Sequence, residues 1–211
     1  MPGPQLQTIV FLLDRSPTGA DAFEAWTAGS AEHGLLHCLR RRPRPAEAAA
    51  APPLDLFDEA ELWLESSNQG RTWFIREHRL ITRFPGIGRS YEALCTAARL
   101  ARLLTRNPLS DDSRGPVALL LRQTFTALDQ AARPDLVWLK SLFCLLRDEG
   151  YPVKQQWWTQ LPGADRSAAA LILNQPLAGQ APDPGTVARL IARLEQWAGG
   201  ETELQLGSDR H

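Results

Sequence analysis

The sequence predicts an α+β protein in which a small, five-stranded β-barrel precedes an all-helical domain. Between about residues 5 and 80, apolar residues come in short alternating runs rich in Val, Ile, Phe, Trp and Thr, which is typical of strands. After residue 84 they recur every three or four positions, which is typical of amphipathic helices. A chain of 211 residues is long enough for two domains, and we place them at residues 1–82 and 83–211.

The N-terminal region contains five predicted strands. They cover residues 6–12, 22–27, 34–39, 54–64 and 71–77, and a polar turn at 66–70 joins the last two as a hairpin. In the second strand Phe23, Ala25 and Thr27 alternate with Glu24 and Trp26, so we expect the two sets on opposite faces. Five short strands without intervening helical periodicity predict a closed or partly closed barrel of the OB-fold type.

Helices are predicted from capping residues and apolar stripes. Ser90 caps a first helix that ends before Pro108, Pro116 starts a second, and Pro134 opens a third that closes at Gly150. The expected buried side of the first helix is Tyr91, Leu94, Cys95, Ala98 and Ala101. A last helix has its stripe over 187–197 and closes at 199–200, whereas the interval 151–184 has a mixed pattern with a short helical run near 167–173.

Composition narrows the classes of function. The formal charge of −1, from 23 basic and 24 acidic residues, disfavours nucleic-acid binding through overall positive charge, so any such binding needs a local patch. All basic residues except Lys140 and Lys154 are arginines, the better donors to phosphate.

Three cysteines without a CxxC pair disfavour a disulfide framework or a zinc ribbon. The short apolar run at 8–13 does not fit a signal peptide and no apolar stretch reaches 18 residues, so we expect a cytoplasmic protein.

A concentration of arginines is the strongest local feature. Arg40, Arg41, Arg42 and Arg44 lie at the exit of the third strand, at the start of a Pro- and Ala-rich loop over 43–53. Guanidinium groups so close together suit phosphate oxygens, and the loop would let all four turn toward one flexible ligand. The alternative interpretation is a solubilising loop.

Aromatic residues on the predicted barrel form a second candidate feature. Trp26, Trp63 and Trp73, with Phe74 beside the last, could act as platforms on which single-stranded bases stack. Aromatic residues are also ordinary components of a barrel core. Because neighbouring side chains on a strand point to opposite faces, one of Trp73 and Phe74 is expected in the core.

No catalytic constellation is recognisable. His33 and His37 have no third ligand at a metal-binding spacing. Asp58, Glu59 and Glu61 could hold magnesium or act in acid–base chemistry, but no nucleophile or phosphate-binding glycine loop accompanies them, so we interpret them as a solvated strand edge. We therefore predict neither enzyme activity, nor a cofactor, nor a metal.

The order of several short motifs resembles the RecO family of bacterial recombination mediator and DNA repair proteins. The resemblance covers about 150 residues. Its elements are the apolar strand 8–13, Glu32-His33-Gly34, Arg40 to Arg44, Pro52-Pro53-Leu54, the strand pair 63–77, Arg83-Phe84-Pro85-Gly86-Ile87 and Glu149-Gly150-Tyr151-Pro152. Many family members carry a four-cysteine zinc site after the last motif, where this chain has Gln155-Gln156-Trp157-Trp158, so structural zinc is not expected.

The resemblance implies an N-terminal OB-fold that binds single- and double-stranded DNA, joined to a helical domain. It implies strand annealing and recombinase loading without enzyme turnover, in the bacterial cytoplasm at the nucleoid. The implied partners are RecR and the acidic C-terminal tail of single-stranded DNA-binding protein. By position, the DNA contacts of the family map to Arg41, Arg42 and Arg44.

Two further hypotheses belong to other classes. The first is an adaptor that uses the same scaffold mainly for protein contacts, which fits a net charge near zero. The second is an enzyme that uses the acidic strand around Asp58, which would require a divalent metal. A strong salt dependence of DNA binding distinguishes the mediator from the adaptor.

Overall fold

The computed structural model describes residues 3–18, 22–42, 53–66, 69–107, 109–130 and 133–206. The chain divides into two compact units. The N-terminal unit comprises residues up to Phe84 together with Arg114–Arg122, and the helical unit comprises Pro85–Ser113 and the residues from Gln123 onward. The first break lies two residues after the predicted boundary. The segment Arg114–Arg122, placed by the sequence in the helical domain, belongs to the N-terminal unit.

Five strands close into a ring in the N-terminal unit. They are β1 (Gln5–Pro17), β2 (Phe23–Ser30), β3 (Gly34–Arg41), β4 (Glu59–Glu65) and β5 (Trp73–Thr82). Their order around the ring is β1-β2-β3-β5-β4, and β4 pairs again with β1. All pairs are antiparallel except β3 with β5, which is parallel. The predicted α+β class with five N-terminal strands is confirmed.

Alternation along the strands builds the core of the ring. Residues of one parity point inward, among them Val10 and Leu12 of β1, Trp26 and Ala28 of β2, and Leu62 of β4, all almost fully buried. Burial raises the pKa of the inward-facing Cys38 thiol to about 12, so this thiol stays protonated. On the other face of β1, Phe11 and Leu13 are also buried.

Several strand boundaries differ from the prediction, and β1 and β5 each extend five residues beyond their predicted ends at 12 and 77. β3 continues through Arg40 and Arg41, because the backbone of both residues still pairs with β2. β4 starts at Glu59 rather than at 54, because the chain turns at Phe57, whose φ of 70° is left-handed. Leu54, expected within the strand, packs into the ring's core from this turn.

Six α-helices follow the strands in the described part of the chain. They are α1 (Tyr91–Arg106), α2 (Arg114–Gln130), α3 (Pro134–Asp148), α4 (Trp157–Gln160), α5 (Gly163–Asn174) and α6 (Pro184–Glu201). The Ser90 cap is confirmed, since its hydroxyl accepts from the Ala93 amide at 3.2 Å. The predicted apolar stripes of the second, third and last helices are buried apart from the half-buried Ile191. The last helix continues through Gly199 and Gly200, where we had expected it to close.

The buried face of α1 differs from the predicted one. Tyr91 is 75% exposed, and Leu94 and Cys95 are also exposed. Of the predicted face only Ala101 is fully buried, and it belongs to a different stripe that consists of Ala93, Ala97, Leu100, Ala101, Leu103 and Leu104. This second stripe runs along the whole helix at three- and four-residue spacing, whereas the predicted one consisted mainly of small residues after its first turn.

One glycine of the helical unit is required by a close backbone approach. A Cβ atom on Gly86 would lie 2.0 Å from the carbonyl oxygen of Asp129. The Gly86 amide donates to the carboxylate of Asp129, and Ile87, next in the chain, is buried. Gly86 and Ile87 are therefore packed within the helical unit. No helix in the described part of the chain is both long and apolar enough to cross a membrane.

Candidate nucleic-acid interface

The arginine cluster divides between two faces of the ring. Arg40 and Arg41 are the last residues of β3, and because they lie in a strand their side chains point to opposite faces. Arg41 and Arg42 are exposed, and the Arg42 amide donates to the carbonyl of Ala22 at 2.9 Å. Arg44 lies outside the described residues. Of the four guanidinium groups expected to turn toward one ligand, that of Arg40 points inward in the structure.

Arg40 is held by a buried carboxylate. The side chain of Arg40 is 14% exposed, and its Nη1 lies 3.6 Å from Oε1 of Glu24. Glu24 is the second residue of β2 and points into the ring, where only 5% of its surface is exposed. The other oxygen of Glu24 lies 2.7 Å from Nη2 of Arg15 on β1. Three strand ends thus place two cations and one anion at the same end of the ring.

Trp26 lies in the core and offers no stacking surface. It is 2% exposed, and its indole N–H donates to Oε1 of Glu24 at 3.0 Å. The Arg15 guanidinium lies 5.3 Å from the centroid of its ring. The two sets of β2 residues lie on opposite faces, as expected, and the inward face carries Glu24 and Trp26. A carboxylate can lie on the inward face because the arginines and the indole satisfy it.

Neither Trp63 nor Trp73 joins the exposed arginines on one surface. Trp63 lies elsewhere on the outer face, and Trp73 faces the ring's interior. Trp63 is half-buried on the outer face of β4, opposite Gln7 of β1 and Glu77 of β5. Since β5 separates β4 from β3, Trp63 is not brought to the arginine cluster. Trp73 packs against the ring's core, opposite Cys38 in the parallel pair of β3 and β5. One member of the Trp73–Phe74 pair is therefore inward, as expected.

The outer face beside Arg41 carries two phenylalanines: Phe74, a candidate from the sequence, and Phe23, which the sequence did not single out. Phe23 lies opposite Arg41 in the β2–β3 pair, and Phe74 lies opposite Leu39 in the β3–β5 pair. The two rings meet edge to face with centroids 6.1 Å apart. Both side chains are half-buried. We call Phe23, Leu39, Arg41 and Phe74 the β2–β3–β5 surface. Because neighbouring residues of a strand alternate, an inward Trp26 places Phe23 on the outer face. The strand register then brings Phe23 to Phe74.

The two arginines of β5 are paired with glutamates of β4. Nε of Arg76 lies 2.6 Å from Glu65, and Nη2 of Arg79 lies 2.7 Å from Glu61. Hydrogen bonds from Gln7 and Arg79 lower the pKa of the Glu61 carboxyl below its ordinary value. These ion pairs leave the outer side of β4 and β5 without a concentrated positive charge.

The acidic residues around β4 are not a solvated edge. Asp58 is 1% exposed and accepts two hydrogen bonds from Arg83, at 2.9 Å and 2.7 Å. Glu59 is equally buried and paired with Arg122. Each acid is occupied by an arginine, which gives it a structural role. Among the described residues, no group of three or more His, Cys, Asp or Glu side chains could hold a metal ion.

The helical unit contains a cavity of about 270 Å³. Trp157 and Leu161 line one side of it, and Arg193 and Trp197 of α6 line another. Nε of Arg193 lies 3.2 Å from the carboxylate of Asp165. The cavity therefore combines apolar walls with a cation that is already paired.

Comparison with known proteins gives no match to a protein-family model and none to a curated protein.

Proposed function

We propose that this protein is a DNA-binding recombination mediator of the RecO type, built on an OB-fold and a helical domain. The observation that supports the proposal best is the β2–β3–β5 surface, where an exposed arginine lies beside a pair of phenylalanines. In OB-folds the face of the second and third strands binds oligonucleotides. The five-stranded ring order and the family resemblance of the sequence point in the same direction.

The proposed mechanism is binding without a chemical step. Arg41 and Arg42 hold phosphates of the backbone, and Phe23 and Phe74 stack against unpaired bases. Contacts to the backbone carry no sequence information and leave the base edges free, so a second strand can pair with the first. Neutralising phosphates on both strands reduces their repulsion, which favours annealing of complementary single strands and supports recombinase loading.

Protein partners are assigned to the helical unit. By the family resemblance these are RecR and the acidic C-terminal tail of single-stranded DNA-binding protein, and the proposed location is the bacterial cytoplasm, at the nucleoid when DNA is bound. No cofactor is part of the proposal.

An adaptor that acts mainly through protein contacts is the second candidate. It is favoured by the pairing of basic residues in the N-terminal unit, where Arg15, Arg40, Arg76, Arg79, Arg83 and Arg122 all contact acids. Paired arginines release fewer counterions on meeting DNA, so an adaptor would bind DNA weakly and with little dependence on salt.

Removing the exposed arginines tests the mediator proposal. We expect Arg41→Ala combined with Arg42→Ala to weaken binding to single-stranded DNA of any sequence. In a plot of the logarithm of affinity against the logarithm of salt concentration, the slope should become shallower by up to about 1.4. Each phosphate contact to a single strand contributes about 0.7 to this slope. Fluorescence anisotropy with a labelled oligonucleotide measures both quantities.

The matched control is Arg79→Ala combined with Arg147→Ala. It removes the same two charges from positions that are paired with Glu61 and Asp148. The control should leave the slope close to that of the unmodified protein. An equal loss in both double variants would mean that binding follows net charge, and the assignment of the exposed arginines would be rejected.

A further inference from the structure

One acidic residue lies at the end of the ring where the proposed DNA contacts begin. Glu24 is adjacent to Phe23 of the β2–β3–β5 surface and points to the opposite face of β2, into the ring. It lies opposite Pro17 of β1 and Arg40 of β3. The carboxylate therefore lies at the mouth of the ring, between the ends of three strands.

This carboxylate binds two arginines at once. Its Oε2 contacts Arg15 at 2.7 Å, and its Oε1 lies 3.6 Å from Arg40 and accepts the Trp26 N–H at 3.0 Å. The group of three charges has a net charge of +1, because two guanidinium groups meet one carboxylate. A phosphate, like a carboxylate, offers arginine negatively charged oxygens that accept charge-assisted hydrogen bonds, so it can take the place of the carboxylate on these guanidinium groups.

We propose that Glu24 is an intramolecular competitor for DNA phosphate: it occupies Arg15 and Arg40 in the free protein, and a phosphate of the bound strand replaces it on these arginines. The inference rests on the proposed function, because it supplies two additional phosphate contacts at the edge of the same surface. Only the phosphates of a nucleic-acid backbone, or a polyanion that imitates them, fit this chemistry.

The exchange is physically accessible. The Arg15 side chain is 51% exposed, so its guanidinium can turn outward while its aliphatic part stays against the ring. The contact between Arg40 and Glu24 is long for an ion pair, which makes it the weaker of the two. When the arginines turn to a phosphate, the Trp26 N–H still donates to Glu24, so the buried carboxylate keeps a hydrogen-bond partner.

Glu24→Gln tests the competition directly. The amide keeps the size of the side chain and an oxygen for the Trp26 N–H, but it loses the charge that holds the arginines. We expect binding of single-stranded DNA at low salt to become about three- to tenfold tighter, since two partly exposed ion pairs no longer oppose it. Binding that is unchanged or weaker would overturn the proposal.

The matched control is Glu61→Gln. It makes the same change of net charge and releases Arg79, but on the β4–β5 side of the ring. We expect a change of less than about twofold, because this position is distant from the β2–β3–β5 surface around the ring. An equal gain in both variants would show an effect of net charge and would reject the assigned role of Glu24.

A second measurement does not depend on the folding of the Glu24 variant. In the otherwise unmodified protein, Arg15→Gln combined with Arg40→Gln should flatten the salt slope for single-stranded DNA by up to about 1.4. An unchanged slope would mean that both arginines stay on Glu24 in the complex, and the proposal would be wrong.

Binding of inorganic polyphosphate distinguishes a failure of this inference from a failure of the proposed function. If the unmodified protein does not bind DNA, the mediator proposal fails. The competition is then still supported if Glu24→Gln binds polyphosphate several-fold more tightly than the unmodified protein, and rejected if it does not.

Discussion

At the scale of single residues, neighbours in the chain have opposite roles because a strand alternates. Trp73 faces the core of the ring, whereas Phe74 lies on the outer surface with its ring edge-on to Phe23. Glu24 and Phe23 divide in the same way. We therefore expect a substitution at the inward position to affect folding, and the same substitution one residue away to affect the proposed DNA binding.

We predict that Phe74→Ala weakens binding of single-stranded DNA by about 1–3 kcal/mol, the contribution of one stacked base. Its free energy of unfolding should fall less than that of Trp73→Ala, because Trp73 packs against the ring's core whereas Phe74 lies on the outer face. Trp73→Ala should instead lower the free energy of unfolding by about 2–4 kcal/mol through loss of core packing. Anisotropy and urea denaturation of both variants check this, and a larger binding loss in Trp73→Ala at full stability would contradict the assignment of faces.

At the scale of elements, an ion pair fixes the entry to β4. The Asp58 carboxylate accepts two hydrogen bonds from Arg83, which follows β5, and a third from the amide of Asp55 at 2.8 Å. The Leu12 amide of β1 donates to the backbone carbonyl of Asp58 at 3.0 Å. These contacts join the turn before β4 to β1 and to the end of β5.

We expect Arg83→Met to lower the free energy of unfolding by about 2–3 kcal/mol, because it leaves the buried Asp58 charge without its cation. Arg79→Met is the matched control: its partner Glu61 is more accessible, so the expected loss is at most about 1 kcal/mol. Urea denaturation gives both values. Equal losses would show that the Asp58 pair has no special structural role.

At the scale of the whole molecule, hydrophobic periodicity was sufficient to predict the α+β class, the five strands and most helices. It failed at positions where burial of a residue depends on charged or polar partners that are distant in the sequence. Trp26 is inward only because Glu24, on the same face, is neutralised by two arginines from other strands. The acids at Asp58 and Glu59 are buried for the same reason, since their arginine partners are 25 and 63 residues away.

The candidate interface was predicted only in part. Arg41 and Arg42 were selected from local arginine density, and the structure places both at the surface. Phe74 was a candidate from the sequence, but only the strand register shows that Phe23 lies with it across β3. Pairing of distant strands depends on the entire ring and is not encoded in any local pattern.

Anisotropy of a labelled single-stranded oligonucleotide, titrated with the protein over a range of salt concentrations, tests the central claim most directly. We expect a Kd below about 1 μM at low salt and an affinity that falls steeply as salt is raised, since arginine contacts to phosphates release counterions. Absence of binding at low salt would contradict the mediator function and favour the adaptor.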